Sequence, residues 1–292
     1  MNVEELVTFT KLCELKNFTK TAEALTMSQP TVSLHLKNLE QEFQSQLIQR
    51  SSKQVSVTPT GELLLERAKQ IQQLIAQTKS DILACHDAVQ GELKIGASFT
   101  IGEYILPMIL GDICMEYPQL NLDVTIGNTE EIVKQVKHLQ VDIGLIEGTT
   151  NEKELLLMPF MEDELVIIVS PTHALAHKKD VQMSDLQNEV WLSRELGSGT
   201  RENLQHFLRT HAIKTRAIVT ISSNQGVKEA VMNNVGISLI SRYTVMRDVK
   251  FGDVVIVPVA ERFTRVLSYV YSPVMKNIRS VSSFIELVEE KL

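Results

Sequence analysis

Cysteine is scarce: 292 residues hold only three, Cys13, Cys85 and Cys114, far apart and without a CxxC pair. That spacing excludes a disulfide framework or a zinc ribbon and leaves buried or interface thiols as the expected use. Long apolar runs are missing as well, since no stretch approaches the roughly 18 apolar residues that a bilayer-crossing helix needs. The opening MNVEELVTFTKLCELKNF lacks both the basic start and the apolar run of an export signal. A cytoplasmic chain with no membrane partner is expected. Catalytic signatures are also wanting. The GSGT of residues 197–200 is not a G-x-S-x-G elbow, and no G-x-x-x-x-G-K-[ST] phosphate loop or assignable His/Asp/Ser constellation occurs. His173 and His177 fall in the polar stretch PTHALAHKKD, which reads as a solvated loop rather than a metal site. No catalytic residue, metal or cofactor is therefore expected.

What is present is an ordinary globular composition, 43% hydrophobic, long enough for two or three domains. The formal net charge of -7 would by itself argue against a polyanionic partner. Its distribution argues otherwise. Between Lys16 and Thr60, Lys16, Lys20, Lys37, Arg50 and Lys53 face only Glu23, Glu40 and Glu42, a local +2 that leaves -9 for the rest of the chain. Phosphate contact is governed by local charge, so this segment can meet DNA although the whole chain is acidic.

The same segment carries a helix-turn-helix pattern. Leu6, Phe9, Thr10 and Cys13 recur at helical spacing, and Thr19 is a candidate cap for a second short helix with Ala22 and Leu25 inward. Ser28 can cap a third helix, with Pro30 tolerated in its first turn. Val32, Leu36, Leu39 and Phe43 then form the expected buried stripe. The opposite stripe of Gln29, Pro30, Ser33, Leu34 and Lys37 offers groups that suit base edges: an amide for adenine, a hydroxyl, and an apolar tip for a thymine methyl. A merely solvated face is the alternative. LIQRSSKQVSVTPTG follows as a short hairpin with Arg50 and Lys53 near its tip, a wing for backbone or minor-groove contact. Thr58-Pro59 then starts a helix to about Val89, whose Leu64, Ala68, Ile71, Ile75, Thr78, Ile82 and Cys85 stripe suits a paired helix.

In this order, Phe9, NFTKTAEAL, SQPTVS from Ser28 to Ser33, Leu39-Glu40, Arg50 and TPTG from Thr58 to Gly61 resemble the LysR-type transcriptional regulators, and the resemblance spans the whole chain. It implies a winged helix-turn-helix over residues 1–58, a linker and dimerisation helix over 59–90, and an α/β effector-binding domain over 91–292 resembling periplasmic binding proteins. Gln29, Pro30, Thr31, Ser33, Leu34 and Lys37 would lie at the DNA, with Arg50 and Lys53 on the wing. Promoter inverted repeats of double-stranded DNA, a small effector and further copies of the chain in a dimer or tetramer become the expected partners, with RNA polymerase a further candidate. Three positions depart from the family pattern: Thr21-Ala22 replaces an Ala pair, Leu34 a frequent basic residue, and Gln44 a frequent Gly. A left-handed Gln44 would cost about 1 kcal/mol relative to Gly; otherwise the helix ends differently.

From Gly91 onward, strand-like runs alternate with helical ones, the pattern of a mainly parallel sheet covered on both faces. The resemblance divides it into lobe one, 91–160 plus 265–292, and lobe two, 161–264, with the effector between them. ASFT, GNTEE and GSGTR each open a helix after a strand, and free helix N–H groups beside small hydroxyls favour a carboxylate or an inorganic oxyanion. Ser98, Thr100, Asn128, Thr129, Ser198, Gly199, Thr200 and Arg201 are the candidates, each also explicable as a routine cap or ion-pair residue. Glu147, if inward, would favour an amine-bearing ligand. Within the family, MSQPTVSLHLKNLEQEF with GASFTIGEYILP resembles regulators of sulfite reductase and cysteine biosynthesis, which implies a sulfur-linked anion or O-acetylserine. The alternative is a cytoplasmic binding protein or enzyme using the same cleft, with the N-terminal segment serving only assembly.

Overall fold

The computed structural model describes residues 1–50, 55–84 and 89–292. The chain forms two compact units, Met1–His86 and Asp87–Leu292, each with its own core.

The first unit begins with α1 (Val3–Leu15), α2 (Phe18–Ala24) and α3 (Gln29–Glu42). A hairpin of β1 (Ile48–Arg50) and β2 (Val55–Val57) and the long α4 (Pro59–Ala84) complete it. Asn17, not Thr19, caps α2: its side chain accepts from the Lys20 N–H at 3.0 Å, and the helix starts two residues earlier than expected. Asn is the stronger N-cap, so the earlier start wins. Ser28 caps α3 as expected, accepting from the Thr31 N–H at 3.3 Å. Val32, Leu36 and Leu39 pack with Leu6, Phe9, Leu12, Leu47, Ile48 and Ala68 in one core.

Phe43 does not join that stripe and is 43% exposed, because α3 ends one residue before it. Gln44 takes the left-handed conformation (φ 46°). Its N–H donates to the Gln41 carbonyl at 3.3 Å, and the Ser45 N–H reaches the Glu40 carbonyl at 3.1 Å, the paired closure of a Schellman turn. A position that usually favours glycine is thus filled by glutamine. The Glu40 carboxylate accepts from the N–H groups of Leu47 (2.9 Å) and Ile48 (3.3 Å), which fastens β1 to the end of α3.

Thr58 accepts from the Gly61 N–H at 3.0 Å and caps α4. A Cβ at Gly61 would collide with the Leu47 carbonyl oxygen, so only glycine lets α4 start against the strand. Ala68 is fully buried, with Leu64 and Ile71 packed beside it, so early α4 belongs to the core of this unit. Along the expected stripe Ile75 is half-buried and Thr78 exposed. The Ile82 side chain, Cys85 and the expected passage through 85–88 lie outside the described residues, as does Lys53.

The second unit runs through β3 (Gln90–Ser98), a π turn (Ile101–Ile105), α5 (Pro107–Glu116), β4 (Gln119–Gly127), α6 (Thr129–Lys137), β5 (Ile143–Glu147) and β6 (Leu156–Val169). It continues with β7 (Val190–Ser193), α7 (Gly199–Thr210), β8 (Ala217–Thr220), α8 (Asn224–Met232), β9 (Ser238–Ser241), α9 (Arg242–Phe251), β10 (Val255–Ile256), β11 (Phe263–Tyr271) and α10 (Arg279–Lys291). The sheets are mixed rather than mainly parallel. β3 pairs in parallel with β4 and β5, and β7 with β8. β11 runs antiparallel to both β5 and β6, and the far half of β6 pairs antiparallel with β9 and β10. β6 and β11 therefore pass from one lobe to the other side by side. Separate cores sit in the lobes, one around Ile95, Leu145, Tyr269 and Phe284, the other around Trp191, Leu204, Phe207 and Ile237. Among the described residues no helix is long and apolar enough to cross a membrane.

Candidate functional site

The structure brings the predicted site residues together in two groups, one in each unit. The burial pattern of α3 sets the first: with Val32, Leu36 and Leu39 in the core, the opposite side of the helix carries Gln29, Pro30, Ser33, Leu34 and Lys37 outward. Leu34 is 54% exposed. Gln29 Nε2 lies 3.3 Å from Ser33 Oγ, so the amide and hydroxyl one turn apart form a single polar patch. Thr31 sits at the edge of this patch, its hydroxyl 2.8 Å from that of the capping Ser28. The backbone of Arg50 pairs with Val55 in the hairpin; its side chain, like Lys53, lies outside what is described.

The second set lies where strand ends of the two lobes face each other. Most of the hydroxyls expected to bind an effector instead serve a buried ion cluster. Arg265, on β11, donates from Nη1 to Glu147 Oε2 (2.7 Å) and from Nε to Asp163 Oδ2 (2.8 Å). It also reaches the hydroxyls of Thr200 (2.9 Å) and Thr100 (3.1 Å). Glu147 accepts further bonds from Ser98 Oγ (3.3 Å), the Thr100 N–H (3.2 Å) and Thr200 Oγ (3.1 Å). Ser241 donates to Asp163 at 2.7 Å. Ser98 and Thr100 come from lobe one and Thr200 and Ser241 from lobe two, so this cluster ties the lobes together.

Glu147 is therefore not a free acid awaiting an amine, because Arg265 already neutralises it. Burial alone would raise its pKa, but Arg265 and the donors from Thr100 and Thr200 outweigh burial and hold it below the usual glutamate range. Asp163 goes the other way: burial pushes it up, and Arg265 and Ser241 offset that only in part. Two carboxylates share one cation.

Around this cluster the lobes meet closely. A Cβ at Gly199 would fall 2.7 Å from the Glu147 carbonyl oxygen, so glycine is what lets α7 start there. Asn128 caps α6 by accepting from the Glu131 N–H at 3.0 Å, and the Glu130 N–H donates to the Gly197 carbonyl at 3.1 Å. The Thr129 hydroxyl lies 3.4 Å from the Glu147 carbonyl oxygen, and Ser198 is buried at the start of α7. Arg201 reaches inward to the Arg194 carbonyl (2.9 Å), which makes it a support for the backbone; its buried Nε has no partner among the described residues.

Arg194 itself escaped sequence reading. It follows β7 directly, is only 2% exposed, and forks onto its neighbour Glu195, with Nε–Oε2 2.8 Å and Nη2–Oε1 2.9 Å. Nη1 donates to Asn224 Oδ1 at 2.6 Å, Nη2 reaches the Ser222 carbonyl at 3.4 Å, and the guanidinium lies 4.5 Å from the ring centre of Phe99 in the other lobe. Glu103, in the π turn, feels Arg194 and Lys228, yet burial still pushes its carboxyl up. A place at the C-terminal end of a strand, like those of ASFT and GNTEE, was the signal that could have found Arg194. Among the described residues no cluster of three or more His, Cys, Asp or Glu could hold a metal ion.

Comparison with known proteins matches these two units. Residues 3–62 fit the bacterial regulatory helix-turn-helix proteins of the lysR family, and residues 86–292 fit the LysR substrate binding domain. The HTH-type transcriptional regulator CysL of Bacillus subtilis is 52% identical over 290 residues, covering 99% of this chain and 97% of that protein. A full-length OxyR variant from Pseudomonas aeruginosa has the same fold (TM-score 0.76, 21% identity, 99% of this chain and 94% of that one). The regulatory domain of CcmR from Synechocystis, solved in complex with 2-PG, matches 69% of this chain and 97% of its own at 25% identity and a TM-score of 0.64.

Proposed function

This chain belongs to the LysR family of DNA-binding transcriptional regulators, and from that premise we propose that it controls sulfur-metabolism genes in response to a small sulfur-linked anion, or O-acetylserine, bound between the lobes of its effector-binding domain. The observation that carries the sulfur reading is the 52% identity to CysL over almost the full length of both chains. The segments MSQPTVSLHLKNLEQEF and GASFTIGEYILP support it, through their resemblance to regulators of sulfite reductase and cysteine biosynthesis.

The chemistry of the lobe interface favours the anion. Glu147 and Asp163 are bound to Arg265, so neither is available for an amine. Arg194, by contrast, has a partner that can leave, and α6, α7 and α8 all begin at strand ends of this region. On the DNA side, Gln29 and Ser33 read base edges, Pro30 and Leu34 make apolar contact, and Lys37 with the wing residues Arg50 and Lys53 meets phosphates. The effector acts by binding one arrangement of the assembled protein better than another, since equal affinity would shift nothing.

Footprinting of the purified protein on fragments of its own genome, with and without sulfite, thiosulfate and O-acetylserine, tests both halves. Protected inverted repeats upstream of sulfur-assimilation genes that change with one of these compounds are expected. Ligand-independent protection, or protection upstream of unrelated genes, would refute the sulfur reading.

A further inference from the structure

We propose that Glu195 is a built-in stand-in for the effector's anionic group: it occupies the Arg194 fork in the unliganded protein and is displaced by an oxyanion that presents two oxygens to the same guanidinium. The inference rests on the reading above that an anionic effector binds between the lobes. Four features of the geometry support it.

The Arg194–Glu195 pair is bidentate through Nε and Nη2, one edge of the guanidinium, at 2.8 and 2.9 Å, the geometry an external carboxylate or a sulfur or phosphorus oxyanion would adopt. The guanidinium is held independently of Glu195, by Asn224, the Ser222 carbonyl and the Phe99 ring, so the fork stays formed when Glu195 leaves. Asn224 is 0% exposed and its Nδ2 has no hydrogen-bond partner among the described residues, although its Oδ1 is fixed on Arg194. A buried orphan donor beside a guanidinium suits an additional acceptor oxygen, because leaving such a group unmade is costly. Glu195, finally, keeps 21% of its side chain exposed, and a change of rotamer can carry its carboxylate into water. The carboxylates of Glu147 and Asp163 have no such exit, since both are buried on Arg265.

Occupation of the fork by Glu195 lowers apparent affinity by the fraction of time the fork is free. The ligand class is therefore a small oxyanion with at least two oxygens on one centre. Sulfite, thiosulfate, phosphate and the carboxylate of O-acetylserine share that chemistry and form the arms of the test.

Isothermal titration of the full-length protein with each of the four, on the wild type, Glu195→Gln and Arg194→Lys, decides the matter. Glu195→Gln keeps the side-chain shape and removes the competing charge; at least one anion should bind it about tenfold tighter than the wild type, as for a fork free about a tenth of the time. Arg194→Lys, which keeps charge but loses the fork, should weaken the same anion tenfold or more. Unfolding midpoints followed by Trp191 emission check that the variants are folded. Binding to Glu195→Gln alone, with a silent wild type, also supports displacement. If the wild type binds an anion and Glu195→Gln binds it equally or more weakly, or Arg194→Lys binds it unchanged, the stand-in is refuted and the anionic effector survives. Silence of wild type and Glu195→Gln toward all four ligands refutes the anionic effector itself, and the stand-in with it.

Discussion

Replacing Arg265 with Met should cost the effector-binding unit about 3–5 kcal/mol at neutral pH, the range for removing one partner of a buried ion cluster. Arg265 donates to Glu147, Asp163, Thr100 and Thr200, and the two carboxylates it serves are 3% and 0% exposed. Methionine fills much of the volume but supplies no donor, so both carboxylates keep their desolvation cost and lose their cation. An exposed pair would contribute at most about 1 kcal/mol, which makes the size of the loss diagnostic. Urea unfolding followed by the emission of Trp191, the chain's one tryptophan and fully buried in this unit, is the assay. The midpoint should fall by about 1–2.5 M for a slope of about 2–3 kcal/mol per M. The loss should also depend on pH. Without Arg265 the folded pKa values of both carboxylates rise above their unfolded values, so the deficit is complete above the folded pKa and shrinks as pH falls through it. Adding Glu147→Gln and Asp163→Asn to Arg265→Met should recover most of the stability at pH 8. A loss under about 1 kcal/mol, or one equal at pH 5 and pH 8 and unrepaired by the two amides, would refute the assignment of this cluster as a charge-compensated buried network.

In the first unit, Gln44→Gly should relieve the left-handed strain at φ 46° and stabilise the end of α3 by about 1 kcal/mol, read as roughly fivefold slower amide exchange there; unchanged exchange would mean the Schellman turn carries no strain. Gly61→Ala should destabilise the same unit by about 1–3 kcal/mol, because its Cβ would collide with the Leu47 carbonyl oxygen, and a wild-type midpoint would contradict the close approach. Gln29→Ala with Ser33→Ala should weaken a specific operator far more than random DNA, whereas Lys37→Ala should weaken both and lower the salt slope by about one per chain. Equal losses for the double variant on both DNAs would remove Gln29 and Ser33 from base reading. Cys13, buried and with its thiol pushed up to about 12, should resist a disulfide reagent at pH 8 while the exposed Cys114 reacts, which peptide mapping of the folded protein will resolve.

How much of this was legible in the sequence follows from the range of the forces involved. Helices α1 and α3 and the wing hairpin show in local periodicity and turn chemistry, and Ser28 and Thr58 are caps whose partners lie three residues away. Phe43 was misplaced because periodicity cannot say where a helix stops, and a Schellman turn closed by Gln44 gives no glycine signal. In the lobes, ASFT, GNTEE and GSGTR were visible as strand-to-helix turns. That Ser98, Thr100 and Thr200 would face Glu147 and Arg265 was not visible, because those contacts join positions 47 to 165 residues apart. Arg265 looked like a domain boundary. Its role appears only when β11 crosses between lobes and lays it beside both carboxylates.

The same cluster bears on how an acidic chain grips DNA. In the effector-binding unit the buried cations are committed internally: Arg265 to Glu147 and Asp163, Lys228 to Asp248, Arg194 to Glu195. Arg265 cannot answer a phosphate without leaving Glu147 and Asp163 uncompensated, a cost of several kcal/mol, and Arg194 is open only to an anion that displaces Glu195. On the first unit Lys16, Lys20 and Lys37 are exposed and form no ion pair among the described residues. The larger acidic surplus is carried by the effector-binding unit, and charges farther than about 8–10 Å from a phosphate are largely screened. Net charge therefore misleads about the partner. Local charge is the better guide: the exposed Lys16, Lys20 and Lys37 lie on the helix-turn-helix that carries Gln29 and Ser33.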